Sequence, residues 1–231
     1  MIYITGDTHA EIDISKLNSK NWEVGNKLTK DDYLIVCGDF GLVWDESKTD
    51  TYWQKWLSDK QWTTLFIDGN HENFNLLNAY PTTYKWGGKV HQITDSIYHL
   101  MRGQVFTIDG NKIFTMGGAT STDKLMRVKD KTWWENEIPS KDEFNEALDN
   151  LNKADWNVDL VITHCAPSKV LDCIQKGYKH DICTQFLQVI SERLKFQDWY
   201  MGQYHINDDI GSYHILYDKI IKYTERKEIN D

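Results

Sequence analysis

Thr64-Leu65-Phe66-Ile67-Asp68-Gly69-Asn70-His71 runs from a short apolar segment into a glycine and then into two side chains of metal-ligand type. Short β-branched and aromatic runs that stop at glycine read as strands buried on both faces. The same grammar occurs upstream, where Met1 to Asp7 ends in Gly6-Asp7-Thr8-His9. Tyr33-Leu34-Ile35-Val36-Cys37 ends in Gly38-Asp39. Downstream, Asp159 to Thr163 ends at His164, and Gln197 to Met201 leads into Gly202-Gln203-Tyr204-His205.

The segments between these runs set the fold class. A polar stretch with a helix over Ile12 to Leu28 is expected between the first two. Lys48 to Lys60 carries Tyr52, Trp53, Trp56 and Leu57 at helical spacing. Strand and helix in alternation predict an α/β protein with largely parallel, layered sheets. Ser96 to Met101, Gln104 to Asp109 and Lys112 to Met116 read as consecutive strands, with Asp109-Gly110-Asn111 as a tight hairpin turn. Ser140-Lys141-Asp142-Glu143 is a capping box that starts a helix to Leu151. Asp181 to Leu194 reads as a helix with Phe186, Leu187, Ile190 and Leu194 inward. Ser212 to Tyr217 and Lys219 to Tyr223 read as a closing hairpin. No repeat or linker divides the chain, so residues 1–231 are expected to form one domain.

Composition narrows the function. The chain has 231 residues, with 26 Lys+Arg against 35 Asp+Glu and a net charge of −9. That balance disfavours a general nucleic-acid or anionic-membrane surface, which needs basic patches. It leaves room for a small phosphorylated substrate held by metal. Cys37, Cys165, Cys173 and Cys183 form no C-x-x-C pair and read as reduced thiols. The start MIYITGD lacks a basic and apolar leader, and no apolar run approaches the ~20 residues that span a bilayer. A cytoplasmic protein without a membrane partner is expected.

The strand ends carry the chemistry. In layered α/β folds, the carboxyl ends of parallel strands meet along one edge, where ligands bind. Two carboxylates, an amide oxygen and several imidazoles suit Mn, Fe or Zn better than Ca or Mg alone. A two-metal hydrolytic centre matches this inventory, because two divalent ions draw in phosphate and acidify water. Four of the eight histidines share the strand-end context. His91, His99 and His214 read as structural, and His180 as a surface or capping residue. Gly117-Gly118-Ala119-Thr120-Ser121 followed by Arg127 could offer backbone N–H groups and a guanidinium to phosphate. Trp133-Trp134 reads as packing beneath a loop.

The ordered set Gly6-Asp7-Thr8-His9, Gly38-Asp39, Gly69-Asn70-His71-Glu72, His164 and Gly202-x-x-His205 resembles the calcineurin-like metallophosphoesterase superfamily. The resemblance implies a four-layered α-β-β-α sandwich. It implies that Asp7, His9 and His205 hold a first metal, Asp39 bridges, and Asn70 and His164 hold a second. It gives His71 a catalytic role, facing the phosphate and protonating the leaving oxygen. It also implies two divalent ions, Mn foremost with Fe, Zn or Ni as alternatives, and a bridging hydroxide that attacks phosphorus in line.

Two departures refine that expectation. The family's last motif is commonly G-H-x-H, with its first histidine on the second metal, and Gln203 stands there instead. An amide oxygen is uncharged and binds metal more weakly than imidazole, so a second metal that is labile, absent without substrate or of another kind is expected. The protein-phosphatase signature G-D-x-x-D-R-G is replaced by Gly38-Asp39-Phe40-Gly41-Leu42-Val43-Trp44, which disfavours a protein substrate. A phosphodiester or phosphomonoester that is small or nucleotide-derived is expected. The rivals are a nuclease on short or structured nucleic acid and a metal-poor scaffold of weakened activity.

Overall fold

A computed structural model describes residues 1–225 of the chain. Its elements alternate from the start: β1 (Ile2–Thr5), β2 (Tyr33–Val36), α1 (Lys48–Ser58), β3 (Thr63–Phe66) and the short α2 (Phe74–Leu77). A run of strands follows: β4 (Thr82–Lys85), β5 (Gly88–Thr94), β6 (Ile97–Leu100), β7 (Gln104–Ile108) and β8 (Asn111–Met116). Then come α3 (Lys141–Lys153), β9 (Leu160–Thr163), α4 (Ser168–Ile174), α5 (Ile182–Ser191) and β10 (Asp198–Met201). β11 (Asp208–Ile210), β12 (Tyr213–Ile215) and β13 (Ile220–Lys222) close the described chain.

The strands form two sheets, β13-β1-β2-β3-β6-β5-β4 and β11-β12-β10-β9-β8-β7. Each has four parallel strands at its centre, β1-β2-β3-β6 in one and β8-β9-β10-β12 in the other. Antiparallel strands finish the edges. Strand alternation sorts the apolar side chains into three layers of core. Ile2, Ile4, Ile35 and Leu65 face Phe106, Ile113, Leu160 and Ile162 between the sheets. On the outer face of the first sheet, Tyr3, Leu34, Val36 and Phe66 pack against Ile14, Leu17, Phe40 and Leu57. On the outer face of the second, Phe114, Val161 and Trp199 meet Ala147, Leu151, Leu187 and Ile190 from α3 and α5. The result is the four-layered α-β-β-α sandwich.

Two local expectations fail. Ile12 to Leu28 holds only 3-10 turns, at Ile14–Leu17 and Glu23–Lys27. Asn18 Oδ1 accepts the N–H groups of Lys20 and Asn21, which diverts backbone donors from a helix. The closing hairpin is not one: β12 runs parallel to β10 in the second sheet, whereas β13 pairs antiparallel with β1 in the first. The chain crosses between sheets at Tyr217 to Lys219, pinned by Asn207 Oδ1, which accepts N–H from both of those residues. The capping box is present as expected, with Ser140 and Glu143 bonding each other's backbone. No helix among the described residues is long and apolar enough to cross a membrane.

Candidate metal centre

The carboxyl ends of β1, β2, β3, β9 and β10 deliver their side chains to one place. The backbone there is unusual. His9, Asp39, Gln203 and His205 all sit in the left-handed region, at φ 40°, 46°, 70° and 50°. Each such non-glycine residue costs on the order of 1–3 kcal/mol, and strain of this kind collects at functional sites. Gly69 and Gly202 permit the close approach: a Cβ on either would overlap the Asp39 or Asp7 carboxylate respectively.

Ligand-type atoms of Asp7, His9 and His205 lie within 4.8 Å of one another, as do those of Asp7, Asp39 and His164. His205 Nε2 is 3.1 Å from Asp7 Oδ2. Asp7 belongs to both groups, and Asp39 lies between two imidazoles, with Oδ2 3.3 Å from His9 Nε2 and Oδ1 3.3 Å from His164 Nε2. The backbone N–H of His71 donates to Asp39 Oδ1 at 2.8 Å, and that of Gln203 to Asp7 Oδ1 at 3.0 Å.

Electrostatics tie these groups together. Burial penalises the charge of Asp39, yet the His164 and His9 imidazoles hold its carboxyl well below the usual carboxylate range. Burial would lower both imidazoles, but Asp39 and Asp7 outweigh it and hold His164 at about 10 and His9 at about 9. Divalent cations would take the place of those protons.

The donor set passes a further test. Among the described residues, five buried side-chain polar atoms lack a hydrogen-bond partner, and three of them are Asn70 Oδ1, His164 Nε2 and Gln203 Oε1. An unsatisfied buried acceptor costs about 1–3 kcal/mol, so such atoms are rarely left idle. His164 Nδ1 donates to the Cys37 carbonyl at 2.7 Å, which leaves Nε2, 3.3 Å from Asp39 Oδ1, as the nitrogen that a metal would take in place of its proton. Oxygen and imidazole atoms of this kind fit a divalent ion of the Mn, Fe or Zn type.

His71 stands apart from these groups. Burial lowers its pKa, and the Arg127 guanidinium adds to that against the pull of Asp39. Arg127 Nη2 lies 2.9 Å from His71 Nε2 and Nη1 lies 3.2 Å from Nδ1. A neutral imidazole has one acceptor nitrogen, so one of the two contacts is a hydrogen bond at any moment. Arg127 thus reaches the mouth of the centre, braced by Asp123 at 2.8 Å. Trp134 is buried and packs edge-on against Trp44, as a residue beneath a loop. His99 pairs with Asp68, His214 with Asp198 and Asp209, and His180 with Asp172.

Several supporting residues have no role assigned from the sequence, Glu72 among them although it ends the Gly69-Asn70-His71-Glu72 motif. Asp13 Oδ2 holds His9 Nδ1 at 2.7 Å, and its only signal was the four-residue spacing from His9. Buried Glu72 accepts the N–H groups of Phe40 at 2.7 Å and Gly41 at 3.2 Å, fixing the turn after Asp39. Burial, together with Asp39, raises the Glu72 carboxyl to about 8. Lys16 donates to the carbonyls of Gly6, Asp7 and Tyr217, clamping the end of β1.

The family model of the calcineurin-like phosphoesterases matches residues 1–189. That span contains Asp7, His9, Asp39, Asn70, His71 and His164, while Gln203 and His205 lie beyond it in the same centre. No curated protein matches the chain. The chain belongs to the calcineurin-like phosphoesterases, metal-dependent hydrolases of phosphate esters.

Proposed function

We propose that the protein hydrolyses a small, nucleotide-derived phosphodiester at a dinuclear centre, with residues 1–231 acting as one domain. The carrying observation is Asp39, whose two oxygens face His9 on one side and His164 on the other. That is the placement of a carboxylate shared by two ions. Asp7, His9 and His205 would hold one ion, and Asn70, His164 and Gln203 the other. Two bound divalent ions, Mn foremost, supply positive charge for the phosphate and acidify water near neutral pH.

The chain's own groups do the rest. His71 offers its single N–H to the phosphate or the leaving oxygen. Arg127, within reach of His71, swings its planar fork to a phosphate oxygen. A cavity of about 380 Å³ opens beside His9 and His71, walled by Trp44, Ile12, Glu11 and Asp45. Another of about 560 Å³ opens beside Gln203 and Ser121, walled by Tyr178, Tyr204 and Lys179. Two cavities suit the two organic arms of a diester, and the aromatic walls suit a base. The carboxylates of the first cavity disfavour a polyanion, which weighs against a nuclease. The unpartnered acceptors weigh against a metal-poor scaffold.

Mn-dependent hydrolysis of a chromogenic phosphodiester, beside the matching monoester, tests this reading. Faster turnover of the diester, reduced about 10²–10³-fold in His71→Ala, is expected. Turnover of the monoester alone would refute the substrate class, and no Mn-dependent turnover of either would refute the activity.

A further inference from the structure

Buried behind Asn70 is a chain of hydrogen bonds with a definite direction. Asn70 Nδ2 lies 3.1 Å from Ser121 Oγ, and Ser121 Oγ lies 2.7 Å from Glu137 Oε2. The backbone N–H of Ser121 donates to Glu137 Oε1 at 3.0 Å, and Lys124 Nζ pairs with the same oxygen. Glu137 is fully buried, and Ser121 and Asn70 are nearly so.

The direction follows from counting hydrogens. A serine hydroxyl has one hydrogen, and a carboxylate only accepts. The hydroxyl hydrogen therefore goes to Glu137, and Ser121 Oγ turns a lone pair toward Asn70. Only the amide NH2 can meet that lone pair. The Asn70 amide is thus oriented by the network, with Oδ1 left as the buried, unpartnered acceptor. A flipped amide would aim its NH2 at a cation.

We infer that Ser121 and Glu137 are positioning residues that select the metal-binding rotamer of Asn70, and so set the affinity of the second ion alone. The inference rests on the dinuclear reading. Removing an outer partner of a ligand typically costs 10–100-fold in metal affinity.

The most telling variant is isosteric. In Glu137→Gln, the side-chain oxygen keeps the contacts to Ser121 N–H and Lys124, and the new NH2 takes the place of Oε2. That NH2 donates to Ser121 Oγ, which releases the hydroxyl hydrogen from Glu137 to turn toward Asn70 and favours the flipped amide. Shape is kept while polarity is inverted.

The test is calorimetric titration of the metal-free full chain with Mn²⁺ alone. Wild type is expected to take up two ions in separable steps. Glu137→Gln and Ser121→Ala should each weaken the second step about tenfold or more, leaving the first within about twofold. Ser121→Thr, which keeps the hydroxyl, should restore it, and exposed Thr122→Ala should change neither step. If Ser121→Ala does not fold, Glu137→Gln carries the test. Wild-type affinity for both ions in Glu137→Gln overturns the inference while the dinuclear reading stands. Uptake of a single ion by wild type overturns both.

Discussion

Asp7, His9 and His205 form a half-open cluster in which each imidazole faces a carboxylate, whereas Asn70 and Gln203 keep buried acceptor oxygens without a partner. His205 is 51% exposed and stacks on Tyr217, while His164 is 0% exposed. The first group satisfies itself by charge pairing, His205 to Asp7 and His9 to Asp13 and Asp39. The second group leans on a frozen scaffold of Ser121, Glu137 and the Cys37 carbonyl. Charge pairing with Asp39 thus reaches both halves, through His9 and His164, and the second half adds oriented amide oxygens. The neutral amide oxygens of Asn70 and Gln203 would also bring less charge to a second ion than carboxylates would. That asymmetry predicts a tight first ion and a weaker second.

The largest effect tests what the halves share. Asp39→Asn should cut Mn-dependent turnover about 10³-fold and weaken both ions, as measured by steady-state kinetics and metal titration. Loss of one ion only would separate the halves. His71→Ala comes next, with about 10²–10³-fold less turnover and unchanged metal uptake, since His71 belongs to neither group. A loss of metal in that variant would move His71 into the ligand set. Gln203→His should narrow the gap between halves by tightening the second ion about tenfold, read as the second step of a Mn titration. No tightening would mean that Gln203 is not where that ion binds.

The smallest effect concerns protons. The Asp39 and Asp7 carboxylates push His9 up to about 9 and His164 up to about 10, above the ordinary 6.5. Without metal, they add stability that is fully present below about pH 6.5 and lost as pH rises through those values. Metal must displace the same protons, so Mn affinity should rise with pH across this window. Titrations near pH 7 in buffers of different ionisation enthalpy should reveal proton release that fades above about pH 10. Binding heat independent of buffer would contradict the charge pairing.

The candidate ligands are more legible in the sequence than the residues that orient them. The ends of β1, β2, β3, β9 and β10 are legible because each candidate ligand follows an apolar run. α3 was visible because Ser140 and Glu143 are three residues apart. Local pattern did not reveal Ser121 and Glu137, 51 and 67 residues after Asn70, because only the folded sheets bring them together. β4 was missed because all four of its residues are exposed, which erases the alternation of a half-buried strand. The Ile12 to Leu28 helix was overread because Ile14 and Leu17 are buried at helical spacing, although Asn18 and Gly25 break the run. At Gly25 a Cβ would collide with the Trp22 and Trp62 rings, so tight packing rather than helix geometry fixes that residue.

Anomalous diffraction at the Mn edge, from crystals of the full chain grown in Mn²⁺, tests the account most directly. Two peaks are predicted, flanking Asp39: a strong one among Asp7, His9 and His205, and a weaker one among Asn70, His164 and Gln203. A single peak, or a second peak that Asn70 and His164 do not touch, would contradict the shared, two-sided centre.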